Sequence, residues 1–121
     1  MTASLVNSTR REMFRLRTTA SRIKDAWIIA VPERFMRQAI LSVVAERGYQ
    51  LGKWGAQHHQ PAVWLAILTE EVGEVAKEIA DATAGGIKFN HEHYRNELVQ
   101  VAAVAVAAIE SLDVERSSGN D

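Results

Sequence analysis

Leu68-Thr69-Glu70-Glu71-Val72-Gly73-Glu74-Val75-Ala76-Lys77-Glu78-Ile79 sets four glutamates among leucine, valine and isoleucine at helical spacing. At about 100° per residue, Glu74 and Glu78 fall within about 60° of Glu71. The same sector holds Trp64, Ile67 and Val75, whereas Glu70 lies roughly 100° away at its margin. A solvated helix keeps its glutamates opposite its apolar residues; here Glu71, Glu74 and Glu78 share their face. Carboxylates on a core-facing stripe are unfavourable unless a cation compensates them. The stretch is therefore a candidate metal site. The competing reading is a solvated acidic helix with i,i+4 pairs, in which Glu70 and Lys77 are bystanders.

Pro61 is placed to start this helix and Gly85-Gly86 to end it, giving a helix over about residues 61–84. A short polar loop leads through Asn90 to a last helix over about His91 to Leu112. From Leu98 to Ile109 this helix is apolar nearly all round, so it must be buried on several sides. Oligomerisation, most simply as a twofold dimer and otherwise as a tetramer, is the economical way to cover it. Glu97 shares a face with Gln100, Val101, Val104 and Ala108. Two helices, each with an E-x-x-E or E-x-x-Q pair on an inward face, aim oxygen ligands at one point. Hard divalent cations such as Mg²⁺ or Mn²⁺ take oxygen ligands and serve phosphate chemistry.

Upstream, Pro32 to Arg47 keeps the helical period in Phe35, Met36, Ala39, Ile40, Val43 and Val44, with Gly48 as a natural stop. The connection Tyr49 to Gln60 mixes aromatic, amide, imidazole and lysine groups, an inventory suited to holding a ligand. Lys53 is a candidate phosphate contact there. Trp54 is either a base-stacking residue or a hinge capping the core, and Gln57 and His58 either read a base edge or belong to a polar loop. His91 and His93 are expected to be exposed. Before Pro32, a helix over about Thr9 to Ala30 carries one narrow apolar stripe, Met13, Leu16, Ala20, Ile23 and Trp27. No segment alternates like a strand, so the class is all-α. Three parts follow: a basic helical extension over 1–31, a helical domain over 32–112, and an unstructured Ser/Gly/Asn-rich tail over 113–121.

The length of 121 residues suits one domain with a modest core. A net charge of −1 gives no global pull toward nucleic acid or membranes, and the longest apolar run, Val101 to Ile109, is too short to span a bilayer. The lack of cysteine excludes disulfides, thiolate zinc sites and cysteine nucleophiles, and fits the cytoplasm. Residues 1–24 nevertheless carry Arg10, Arg11, Arg15, Arg17, Arg22 and Lys24 against Glu12. Such a segment reads as a basic surface arm, a phosphate- or RNA-contacting extension, or an organelle transit peptide.

Glu70-Glu71-x-x-Glu74, a spacer of 22 residues and Glu97-x-x-Gln100 resemble the E-E-x-x-E … E-x-x-D signature of MazG-like nucleotide pyrophosphohydrolases, all-α enzymes related to dimeric dUTPases. Gln50-x-x-Lys53-Trp54-Gly55-x-Gln57-His58 and Arg95 to Ala102 resemble a subgroup of short MazG-like proteins, so that the likeness covers about residues 36–112. The resemblance implies that Glu71, Glu74 and Glu97 hold Mg²⁺ (or Mn²⁺), with Gln100 as the last ligand and Glu70 assisting. It implies water attack on a nucleoside triphosphate, releasing pyrophosphate and a nucleoside monophosphate, with Lys53 and Lys77 on the phosphates and Trp54, Gln57 or His58 on the base. Gln100 stands where the family has aspartate, so the site loses a negative charge. The alternative is therefore a non-catalytic helical binding or assembly module of the same fold. A nucleic-acid-associated role for the basic arm is the third reading, and the net charge speaks against it as the main one.

Overall fold

The computed structural model describes residues 31–119, and among them it is all-α. Three helices follow one another: α1 (Glu33–Trp54), α2 (Pro61–Thr83) and α3 (His91–Ser118). All three belong to one unit, Glu33–Asp121. The helix expected over Thr9 to Ala30 and the basic arm lie outside the described residues.

Local chemistry explains most of the boundaries. Pro61 occupies the first turn of α2, where its missing N–H leaves nothing unpaired. The Gly85-Gly86 turn closes α2, with Gly86 at φ 67° and the Ile87 N–H donating to the Asp81 carbonyl at 3.1 Å. Asn90 caps α3, its side-chain oxygen accepting from the Glu92 and His93 N–H groups at 3.0 Å each.

Two expected ends are corrected. α1 does not stop at Gly48 but runs six residues further, to Trp54. Its stop is Gly55, at φ 72°, whose N–H closes on the Leu51 carbonyl at 2.9 Å. Within the extra turns Gln50 is buried, its side chain bonded to Glu46 and Arg47 one turn earlier on the same helix. α3 likewise continues through residues 113–118, which their composition assigns to an unstructured tail.

α3 is the middle helix. Both α1 and α2 pack on it, and they do not pack on each other. That arrangement accounts for much of its all-round apolar character: two neighbours cover two faces, burying Ala103, Val104 and Ala107. The stripe of α1 fares differently. Phe35, Met36, Ile40 and Val44 are 50–60% exposed, because α1 has a single partner helix. The covered core is accordingly small.

Candidate functional site

Because α1 and α2 each lean on α3 without meeting, a cleft remains between them. It forms a cavity of about 670 Å³, within the usual range of small-molecule sites. The last turns of α1, the loop after Gly55, the first half of α2 and the second half of α3 line it. Leu51, Trp54, Trp64, Ile67, Val104 and Val114 provide apolar and aromatic wall; Gln50, Gln57, His58 and Ser111 provide uncharged polar groups. The acids in the wall are Glu70, Glu71, Glu110 and Glu115, and the cation is Arg47. Arg47 is already engaged: its guanidinium donates to the Glu110 carboxylate at 2.5 Å and to the Gln50 side-chain oxygen at 3.0 Å.

Of the residues singled out in the sequence, Trp54, Gln57, His58, Glu70 and Glu71 come together in this wall. The position of Trp54 depends on the added turns of α1, and the loop residues follow from the tight reversal at Gly55. Glu70, assigned to the margin of the helix face, lines the cavity beside Glu71.

The other candidates are placed differently. Glu74 is exposed and outside the wall, although the helical wheel groups it with Glu71. Glu97 and Gln100 are half-buried on α3, also outside the wall. Lys77 pairs with Asp81 one turn along α2 at 3.3 Å, and the same hydrogen bond raises its pKa. Lys53 lies over the faces of Trp54, at 4.8 Å from the ring centroid, and Tyr49, at 5.7 Å, so it holds positive charge next to a wall residue. Glu78, assigned inward, is half-buried, with an oxygen 4.0 Å from His93 Nδ1.

Glu71 is the electrostatic centre of the cluster. Its pKa is raised, first by burial and then by the negative charges of Glu97, Glu70, Glu74 and Glu46. Carboxylates from α1, α2 and α3 therefore act on one group. Even so, among the described residues no three His, Asp or Glu side chains stand close enough to hold a metal ion. The donors are all oxygen and suit a hard cation chemically, whereas the cluster as it stands is more open than a formed ligand set.

Sequence reasoning missed Glu46, Arg47 and Ser111, and saw Gln50 as part of a loop and of the stretch that carries the family resemblance, with no role of its own. Gln50 is 6% exposed, donates to Glu46 at 3.3 Å and accepts from Arg47, making a hydrogen-bonded polar row along α1 that reaches the cavity wall. The one available signal was spacing: Glu46 and Arg47 stand four and three residues before Gln50 on α1. Ser111 carried no such signal. Its hydroxyl lies 3.0 Å from His58 Nδ1, across 53 residues of sequence. Trp64 completes this corner, meeting the ring of His59 edge-on at 4.9 Å, its buried indole N–H without a partner among the described residues.

A wall with four carboxylates and one paired arginine repels a bare phosphate. Its aromatic and amide groups suit a planar ligand body, and its acids suit a cation, free or accompanying an anion. No helix among the described residues is long and apolar enough to cross a membrane. No family model, curated protein or solved structure matches the chain.

Proposed function

We propose that the chain is a Mg²⁺-dependent nucleoside triphosphate pyrophosphohydrolase of MazG-like fold, with Mn²⁺ as an alternative ion. The observation that carries this reading is one cavity holding Trp54, Gln57 and His58 together with Glu70 and Glu71. Aromatic and amide groups for a base and carboxylates for a cation are the two halves that hydrolysis of a nucleotide requires.

Glu71 would hold the cation at the cavity wall with Glu70 beside it, and the family resemblance adds Glu74, Glu97 and the amide oxygen of Gln100, which lie outside the wall. The bound ion supplies charge neutralisation for the phosphates and acidifies water. Trp54 offers its face to the base, with Gln57 and His58 at the edge. Lys53, held over Trp54, stands ready for the phosphate tail. Water adds at the α-phosphorus, the bond to the bridging oxygen of the β-phosphate breaks, and pyrophosphate leaves. The exposed stripe Phe35, Met36, Ile40 and Val44 supports a homodimer or homotetramer, and the lack of cysteine supports a cytoplasmic setting.

The second reading, a helical module that binds without turnover, is favoured by Gln100 and by the open carboxylate cluster. One assay separates the two: pyrophosphate release from a panel of canonical and modified nucleoside triphosphates, with and without Mg²⁺. The hydrolase reading expects Mg²⁺-dependent release that Glu74→Ala and Glu71→Gln each reduce by about 100-fold or more, the usual scale for removing a key charge from a site. Release by Gln100→Asp alone, with none from the natural chain, establishes the binding module. Full turnover by Glu74→Ala refutes the site.

A further inference from the structure

The three helices carry six serine and threonine side chains, and five of them bond back to their own helix. Ser42, Thr69, Thr83, Ser117 and Ser118 each donate to a carbonyl three or four residues earlier. Such back-bonding is the usual fate of a helical hydroxyl. Ser111 is the exception. It is 7% exposed, makes no bond to α3, and its Oγ meets His58 Nδ1 at 3.0 Å in the cavity wall.

That exception has a chemical consequence. The roles at this contact depend on the His58 tautomer; since Ser111 has no carbonyl partner among the described residues, we assign its hydroxyl as the donor and Nδ1 as the acceptor. A neutral imidazole that accepts at Nδ1 carries its hydrogen on Nε2. This tautomer follows from the hydrogen-bond pattern rather than from a located hydrogen. His58 then offers an N–H donor, and no described residue takes up Nε2.

We propose that Ser111 is a positioning residue that fixes His58 as an N–H donor at the cavity, selecting nucleobases that present a carbonyl oxygen over their amino counterparts. The proposal rests on the nucleotide reading of the same cavity. A carbonyl accepts the Nε2 hydrogen. An amino group in the same place sets N–H against N–H and loses the bond. His58 is exposed, so water competes and the discrimination is that of one net hydrogen bond, about three- to tenfold.

The test uses the full chain with Mg²⁺ at about pH 8. Pyrophosphate release is compared for ITP against ATP and for UTP against CTP. Tryptophan fluorescence follows binding of inosine against adenosine, since Trp54 and Trp64 are wall residues. Nitrogen-15 NMR reads the His58 tautomer, assigned by its loss in His58→Gln. The expected results are an Nε2–H ring and a three- to tenfold preference for the keto base, carried mainly in KM. Ser111→Ala, which suits a helix, should abolish the preference and release the tautomer; Ser111→Thr, which keeps the hydroxyl, should retain both.

An Nδ1–H ring in the natural chain, or a preference unchanged in Ser111→Ala, overturns the proposal. Hydrolysis with no keto preference sinks this inference and leaves the hydrolase reading standing. A Ser111-dependent nucleoside preference without hydrolysis does the reverse. Failure to bind or turn over any of these compounds ends both.

Discussion

Replacing Arg47 with methionine should destabilise the helical unit by about 2 kcal/mol, although the new side chain keeps most of the stem's apolar length. The Arg47 side chain is 12% exposed and joins α1 to α3 by donating to Glu110, while Nη1 donates to Gln50. The two partners lose unequally. Glu110 is 48% exposed and recovers water, so its share is about 0.5–1 kcal/mol, the scale of a half-exposed ion pair. Gln50 is 6% exposed and keeps only its bond to Glu46, leaving a buried acceptor unpaired at about 1–2 kcal/mol. Urea unfolding followed by far-UV circular dichroism checks the sum. With a slope of about 1–2 kcal/mol per molar for a small domain, the midpoint should fall by on the order of 1–2 M. Glu110→Gln should shift it by less than half as much, and the double variant should show coupling between the two sites. An Arg47→Met midpoint within about 0.3 M of the natural protein would refute the reasoning, since the corresponding loss lies inside the scatter of surface substitutions.

Glu71→Gln should stabilise the protein at neutral pH by a few tenths of a kcal/mol per like-charged neighbour removed, read as a rise in melting temperature. The folded-state pKa of Glu71 is raised, so the folded chain holds this proton more tightly than the unfolded chain does. The destabilisation is therefore full above the folded pKa, shrinks as pH falls through it, and is gone below the unfolded value of 4.5; the advantage of Glu71→Gln should fade over that window. A constant advantage down to acid pH would show that charge is not its cause. Millimolar Mg²⁺ should raise the melting temperature of the natural chain and not that of Glu71→Gln, as expected of a cation bound only by the folded state. Asn90→Ala removes the cap of α3 and should cost about 1 kcal/mol in urea unfolding, with Asn90→Asp close to neutral. Sedimentation should give a mass above that of one chain, and Ile40→Glu with Val44→Glu, both on the exposed stripe, should lower it; a natural chain that sediments as a monomer removes the dimer from the proposed function.

The sequence by itself determined the class and the punctuation of this protein. A 3.6-residue period, Pro61 at a helix start and Gly85-Gly86 at a helix end are local signals, and local physics obeyed them. Part of the cavity wall was legible for the same reason: Glu70, Glu71, Trp54, Gln57 and His58 stand within a short stretch whose chemistry departs from that of a plain amphipathic helix. Tertiary structure decided the rest. α1 continues past Gly48, and beside that point Arg47 pairs with Glu110 on α3, a contact that no helix propensity contains. Glu74 is exposed although the wheel groups it with Glu71, because a wheel gives a direction about one axis and not where neighbouring helices lie. Ser111 becomes part of the cavity wall only when the chain returns 53 residues later to meet His58. Contacts of that reach leave no period in the sequence; they exist once α1 and α2 have both settled on α3 and left the cleft between them.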